Sequence, residues 1–207
     1  SRRENPVAGH IPYSRHVSDE AIRTDDGMLM SFLHLSGFCF ETADISEVNS
    51  RLLGRNDLLR ALGSSRYALY THIVRREVKP SIASTFDNEF CRELDERYTA
   101  GLRQRRMFVN DIYLTVVRRE LQGSVGTVDV VLRKLFGRHD ADGRSLSEEQ
   151  AVNELSDVMT AMRETLQAYG ARVLKVLDRG GVWHSEPLEF LVQLVNGGMP
   201  RPMALPR

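Results

Sequence analysis

Two stretches of the chain end in nearly the same five residues, I-V-R-R-E at Ile73–Glu77 and V-V-R-R-E at Val116–Glu120. What constrains the fold is the sequence around and before the arginines. Side chains alternate between the two faces of a strand, and here both faces are apolar. Leu69, Ile73 and Val74 supply them in the first stretch, and Ile112, Leu114, Val116 and Val117 in the second. A strand that is apolar on both sides needs a layer above and below. The reading is therefore two inner strands, about 67–78 and 110–119, sheathed by helices. Each R-R pair sits where its strand emerges at the sheet rim, and adjacent arginines point to opposite faces, so neither pair alone clamps one phosphate or carboxylate. If the strands are neighbours, Arg75, Arg76, Arg118 and Arg119 gather on one edge with Glu77 and Glu120. Surface ion pairs, a docking patch for an acidic partner and a phosphate site are the three readings of such an edge.

The rest of the chain alternates strand and helix signals. Residues 1–15 read as an extended lead-in, because Pro6 and Pro12 disfavour helix. Asp26-Gly27 between apolar runs marks a hairpin, with strands near 20–24 and 28–36. A helix over about 44–62 follows from the spacing of Ile45, Val48, Leu52, Leu59 and Leu62, with Asp44 as N-cap. Another over about 86–105 follows from Phe86, Phe90, Leu94, Tyr98 and Leu102 at steps of four, its charged residues forming the solvated faces. Val128, Val131, Leu132 and Leu135 suggest a short helix, and R-H-D-A-D-G-R-S (138–145) an exposed loop. A third long helix is expected over 147–169, opened by Ser147 and Gln150 as a capping box and ended by Gly170. A strand at 172–178 and a helix at 186–196, with Pro187 in its first turn, complete the pattern. The expected class is α+β: a mixed sheet of about five strands, opening with a β-hairpin, with helices packed against it. Residues 16–197 form the domain and 198–207, rich in Pro and Gly, a linker.

Composition narrows the function. Lysine plus arginine and aspartate plus glutamate balance at 28 each, where a phosphate-backbone binder carries a basic excess. Nearly all the cations are arginine; Lys79, Lys134 and Lys175 are the lysines. Arginine suits paired, partly buried contacts, and a base-composition bias in the source genome produces the same skew. Cys39 and Cys91 form no C-x-x-C pair and read as structural thiols of a reducing compartment. The opening S-R-R-E-N-P lacks an apolar h-region, and the uncharged run Met28–Phe40 is well short of the roughly 20 residues that span a bilayer.

Several chemistries lack their residues. No Gly-Lys pair occurs, so the phosphate loop is absent, and neither G-x-G-x-x-G nor G-x-S-x-G is present. The six histidines make no H-x-x-x-H pair. Asp140, Asp142, Gly143 and Glu149 fall at the third, fifth, sixth and twelfth places of a calcium loop, but the first place is Arg138, a cation where a carboxylate is required. No catalytic, cofactor-binding or metal residues are assigned.

One resemblance draws these stretches together. I-P-Y-S-R-H-V, D-D-G-M-L-M-S-F-L-H-L-S-G-F-C-F-E-T, Y-T-H-I-V-R-R-E-V, F-V-N-D-I-Y-L-T-V-V-R-R-E, L-Q-A-Y-G-A-R-V-L and S-E-P-L-E-F-L-V-Q-L-V-N-G occur in that order over about residues 10–200. So arranged they resemble the N-terminal region of the CagE/TrbE family, the VirB-class ATPases of bacterial type IV secretion and conjugation. The resemblance implies a RecA-like motor C-terminal to residue 207 that carries the phosphate loop, ATP and magnesium. It also implies a non-catalytic assembly domain here, cytoplasmic and peripheral to the inner membrane. Its partners would be other secretion subunits, small inner-membrane proteins among them, and neighbouring copies in the full-length protein. The expected contact residues are Arg75, Arg76, Arg118 and Arg119 on the rims and Arg133, Lys134 and Arg138 in the amphipathic 127–137 segment and just beyond it, together with the opening hairpin. The alternative is a nucleic-acid-binding accessory domain, supported by Arg103, Arg105 and Arg106 and opposed by the charge balance. Nothing positive in the sequence supports a stand-alone enzyme.

Overall fold

The computed structural model describes residues 11–38, 40–63, 66–78, 85–119 and 141–206. Its elements are β1 (Tyr13–His16), β2 (Ala21–Thr24), β3 (Leu29–Leu35), α1 (Ile45–Ala61), β4 (Tyr67–Val78), α2 (Glu89–Arg103) and β5 (Met107–Arg118). They are followed by α3 (Ala141–Thr165), β6 (Arg172–Val173), β7 (Val176–Asp178), β8 (Trp183–Ser185) and α4 (Glu186–Asn196). The α+β class expected from the sequence holds, with one six-stranded sheet of order β1-β2-β3-β5-β4 and a two-stranded sheet, β7-β8. β3 is its centre: β5 pairs along one side, while β2 and then β6 share the other. All ladders among the described residues are antiparallel.

The hairpin forms where Asp26-Gly27 placed it. Gly27 takes φ 88, a region open to glycine without steric penalty, and Thr24 N–H donates to Met28 O at 2.9 Å. β1 adds an edge strand to β2 from chain expected only to be extended.

β3 shows why the sheet needs two layers. Leu29, Leu33 and Leu35 face one core, with Leu114, Val116, Leu58 of α1, and Leu155, Met159 and Met162 of α3. Met30 and Phe32 face the other, with Ile22, Val117, Leu174 and, from α4, Phe190 and Leu191. Phe190 anchors this second layer. Its ring stacks on Tyr113 at 4.2 Å and meets Phe32 and His72 edge-on, each at 5.5 Å. α4 is positioned by its own start signals. The Ser185 side chain accepts from Leu188 N–H at 3.1 Å, Pro187 lies in the first turn, and Gly197 (φ 67) ends the helix.

Four expectations change. β4 is an edge strand, not an inner one, and Ile73 is 65% exposed because the described helices leave the far half of β4 uncovered. In α1 the buried contact is Leu58, while Ile45 and Leu59 of the expected apolar face lie exposed. Arg51 holds this helix instead, with its guanidinium 4.3 Å over Phe38 and donating to Ala168 O at 2.6 Å. α3 begins at Ala141, so Ser147 lies in its second turn and residues 141–145 are helix rather than loop. The strand expected at 172–178 divides into β6 and β7, because Leu174 turns into the core, its N–H donating to Phe32 O at 2.9 Å, while Val176 N–H goes to Asp19 O. The short helix expected around Val128–Leu135 lies outside the described residues.

Truncating the anchor, Phe190→Ala, should lower unfolding free energy by about 3–5 kcal/mol in chemical denaturation, the range for a buried aromatic deletion. A pH effect follows from His34. Its Nδ1 is buried with no partner among the described residues, and burial, then the Arg172 charge, push its pKa below the usual value of 6.5. Below pH of about 6.5 the unfolded chain therefore takes a proton that the folded chain refuses, and stability falls with acidification. His72, lowered by burial, acts in the same direction. The melting temperature should drop between about pH 7 and 5, and His34→Phe should flatten that drop while leaving the His72 share.

Candidate interaction surface

The arginine rim expected from the sequence does not form as one edge. β4 and β5 are neighbours, but antiparallel: Tyr67 faces Arg118, while Arg75 faces Asn110 and Arg76 faces Val109. At about 3.3 Å per residue the two arginine pairs stand roughly 26 Å apart along the strands. Their surroundings differ too. Arg118 is 15% exposed and donates twice to Glu154 of α3, at 2.9 and 3.1 Å, where Arg66 also donates at 2.9 Å. The Arg118 hydrogen bond holds the Glu154 carboxyl below the usual carboxylate range. Arg76 is tied to Asp111 at 2.5 Å. Arg75 lies over the Phe108 ring at 4.3 Å, with Arg106, itself paired to Glu77 at 3.0 Å, against the same ring at 5.5 Å. Arg119 is exposed at the opposite end, its backbone N–H on Arg66 O. Arg133, Lys134 and Arg138 lie outside the described residues. Surface ion pairing thus describes Arg76 and Arg118, and leaves Arg75 and Arg119 turned to solvent at opposite ends.

The surface that stands out is the apolar side of the helix expected over about 86–105. α2 folds for ordinary reasons: Asn88 caps it by accepting from Phe90 N–H at 2.9 Å, and Glu93 pairs with Arg97 at 2.6 Å one turn on. Its apolar stripe, however, covers nothing among the described residues. No residue of α2 is buried; Phe90 is 70% exposed, Leu94 58% and Tyr98 60%. The half-covered side is the neighbouring one, with Cys91, Asp95, Thr99 and Leu102. The strands on either side of it in the chain continue the pattern, since Ile73, Met107, Phe108 and Val109 at the far ends of β4 and β5 are also exposed. Together these elements make an arm whose apolar residues face solvent. Periodicity identified the stripe but carried no information about what lies against it.

Along the outer edge of β4, which pairs with no strand among the described residues, runs a cleft of about 570 Å³. Ile73–Glu77 form one wall, with Gln193, Leu194 and Met199 among the residues opposite. The tail beyond it, expected as a linker, lies against β8: Ser185 N–H donates to Met203 O and Leu205 N–H to Trp183 O.

Catalytic and metal geometries find little support. Among the described residues no group of three or more His, Cys, Asp or Glu could hold a metal ion. The calcium-loop pattern places Asp142 and Gly143 in the first turn of α3, which is not a loop; Asp140 lies outside the described residues. A Ser–His pair does occur, His16 Nε2 to Ser185 Oγ at 2.9 Å. Ser185 is fully buried and caps α4, and His16 Nδ1 lies on Ser18 O at 3.2 Å rather than on a carboxylate, so the pair is a structural tie. Among the described residues no helix is long and apolar enough to cross a membrane.

Residues 20–125 match the family model described as type IV secretion system ATPase VirB4/TrbE, N-terminal domain. The chain belongs to this family. It is 31% identical over 196 residues to the type IV secretion system protein virB4 of Bartonella henselae, covering 95% of this chain and 25% of that protein. Similarity to virB4 of Brucella suis is 31% over 204 residues, covering 94% and 24%. With PtlC of Bordetella pertussis it is 29% over 204 residues, covering 95% and 24%. The chain thus spans about a quarter of the length of the curated relatives it matches.

Because the α2 stripe contributes to no core, Phe90→Ser with Leu94→Ser should change the free energy of unfolding by less than about 0.5 kcal/mol each. Urea denaturation of the double variant checks this; a loss of several kcal/mol would mean the stripe is packed.

Proposed function

We propose that this chain is the assembly domain of a type IV secretion ATPase, working through contact rather than chemistry. It holds neighbouring subunits and small inner-membrane components on the cytoplasmic side of the inner membrane. The observation that carries this reading is the arm of β4, α2 and β5, whose apolar stripe is built with ordinary helix signals yet lies exposed. An exposed apolar face of this kind marks a binding surface. Arg75 at the arm and Arg119 at the far end are the rim cations left for an acidic partner.

The residues present do not fit ATP and magnesium. The sequence has no Gly-Lys pair to build a phosphate loop, and Arg76 and Arg118 are occupied by Asp111 and Glu154. Nucleotide binding is assigned to the C-terminal part of the full-length protein, and no step of its turnover is placed on these residues.

Capture of a small inner-membrane subunit of the cognate secretion system by the purified chain tests the proposal. Arg75→Glu with Arg119→Glu should weaken capture about tenfold with the fold intact, and the single variants report which end docks. Unchanged capture by the double variant refutes the role of the rims, and ATP turnover by this chain refutes the non-catalytic assignment.

A further inference from the structure

We propose that the outer edge of β4 takes up an extended peptide of a partner protein as one more strand of the sheet, a peptide acidic on one face and apolar on the other. This names the kind of partner the assembly reading requires, and it rests on that reading. A sheet edge holds a row of main-chain N–H and C=O groups ready for another strand. β1 and β4 are the terminal strands of the order β1-β2-β3-β5-β4. β4 has twelve residues where β1 has four, and its outer side pairs with no strand among the described residues. Native sheets blunt such an edge with charges set against an incoming strand. The three charges of this edge are taken up on its inner side instead. Asp111 of β5 holds Arg76 at 2.5 Å, Arg106, the residue before β5, holds Glu77 at 3.0 Å, and Arg75 lies over the Phe108 ring of β5.

The cleft beside this edge selects the chemistry of the added strand. It follows Ile73–Glu77, about 16 Å of strand. His72 meets Phe190 of α4, so Val74 and Arg76, two and four residues on, share the α4 face. Across the cleft on that face stand Leu194 and Met199, both exposed, in a wall with no charged residue. The wall is fixed: the Nε2 of buried Gln193 donates to Gly198 O at 3.1 Å, and its carbonyl accepts from Gly197 N–H at 2.8 Å. On the opposite face Ile73 and Arg75 lie open, and no carboxylate among the described residues holds Arg75. An added strand thus sets apolar side chains beside Val74, against Leu194 and Met199, and an acid beside Arg75, in strict alternation. A helix spends its main-chain groups on itself and cannot extend the ladder. A second copy offering the same five residues brings two arginines to two, and like charges across a strand pair repel.

Fluorescence anisotropy of a labelled synthetic peptide, D-I-E-V-D-I-E, titrated with the purified 207-residue chain, tests the proposal. The expected result is binding about tenfold tighter than that of the basic counterpart K-I-R-V-K-I-R, weakened about tenfold by Met199→Asp and reversed in charge preference by Arg75→Glu. The main-chain share is read by N-methylation. Methyl groups on the amides of the apolar positions block one edge of the peptide strand, and those on the acidic positions block the other. One set abolishes binding and the other weakens it far less. Hydrogen exchange of the chain slows along Ile73–Glu77 when the peptide is added. Circular dichroism on each variant confirms the fold. The inference is overturned if the acidic peptide does not bind, if the basic one binds as well, if the two methylated sets behave alike, or if neither Arg75→Glu nor Met199→Asp changes binding. It is also overturned if every amide of Ile73–Glu77 is already slow in the free chain, which means the chain covers its own edge, or slows as the chain is concentrated, which gives the edge to a second copy. A chain that ignores the peptide yet captures an inner-membrane subunit refutes strand addition and leaves the assembly role standing.

Discussion

The rest of the fold depends on the two-sided burial of β3. A strand with leucines on one face and Met30 and Phe32 on the other has no stable position except between two layers. α3 supplies one layer with Leu155, Met159 and Met162, and α4 the other with Phe190 and Leu191. Everything well buried lies within reach of that sandwich. Everything at the surface of interest lies beyond it, where β4 and β5 outrun the helices that cover their near ends. The interaction arm is thus a geometric result: two twelve-residue strands paired along their whole length over a core that is shorter than they are.

Local chemistry explains what was legible in the sequence. Asp26-Gly27 specified a hairpin because the turn requires a positive φ, and Ser185 with Pro187 specified the start of α4, since both act within one turn. The bounds of β4 followed from a run whose apolar and charged segments differ sharply. Family membership, too, was carried by local words in a fixed order, and the matched region covers the hairpin-to-β5 stretch that contains three of the six.

What the sequence concealed is relational. The phase of Phe90, Leu94 and Tyr98 says that a helix is amphipathic; it does not say that a core awaits it, and here none does. The direction of β5 relative to β4 decides whether four arginines share an edge, and no single residue encodes it. With α2 between them, the strands came back antiparallel, separating Arg75 from Arg118. Glu154 and Asp111 then claimed Arg118 and Arg76 from positions that only the folded chain brings near. The break between β6 and β7 is of the same kind, since Leu174 is drawn out of strand register by a pocket that Phe32 and Phe190 create.

Phe32 and Phe190 touch, yet more than 150 residues of chain separate them. On a ribosome the hairpin of β2 and β3 emerges well before α4, the partner for one of its faces. Until α4 is made, Ile22, Met30 and Phe32 lack that layer. A chain stalled before residue 190 has half its core open to the wrong neighbour.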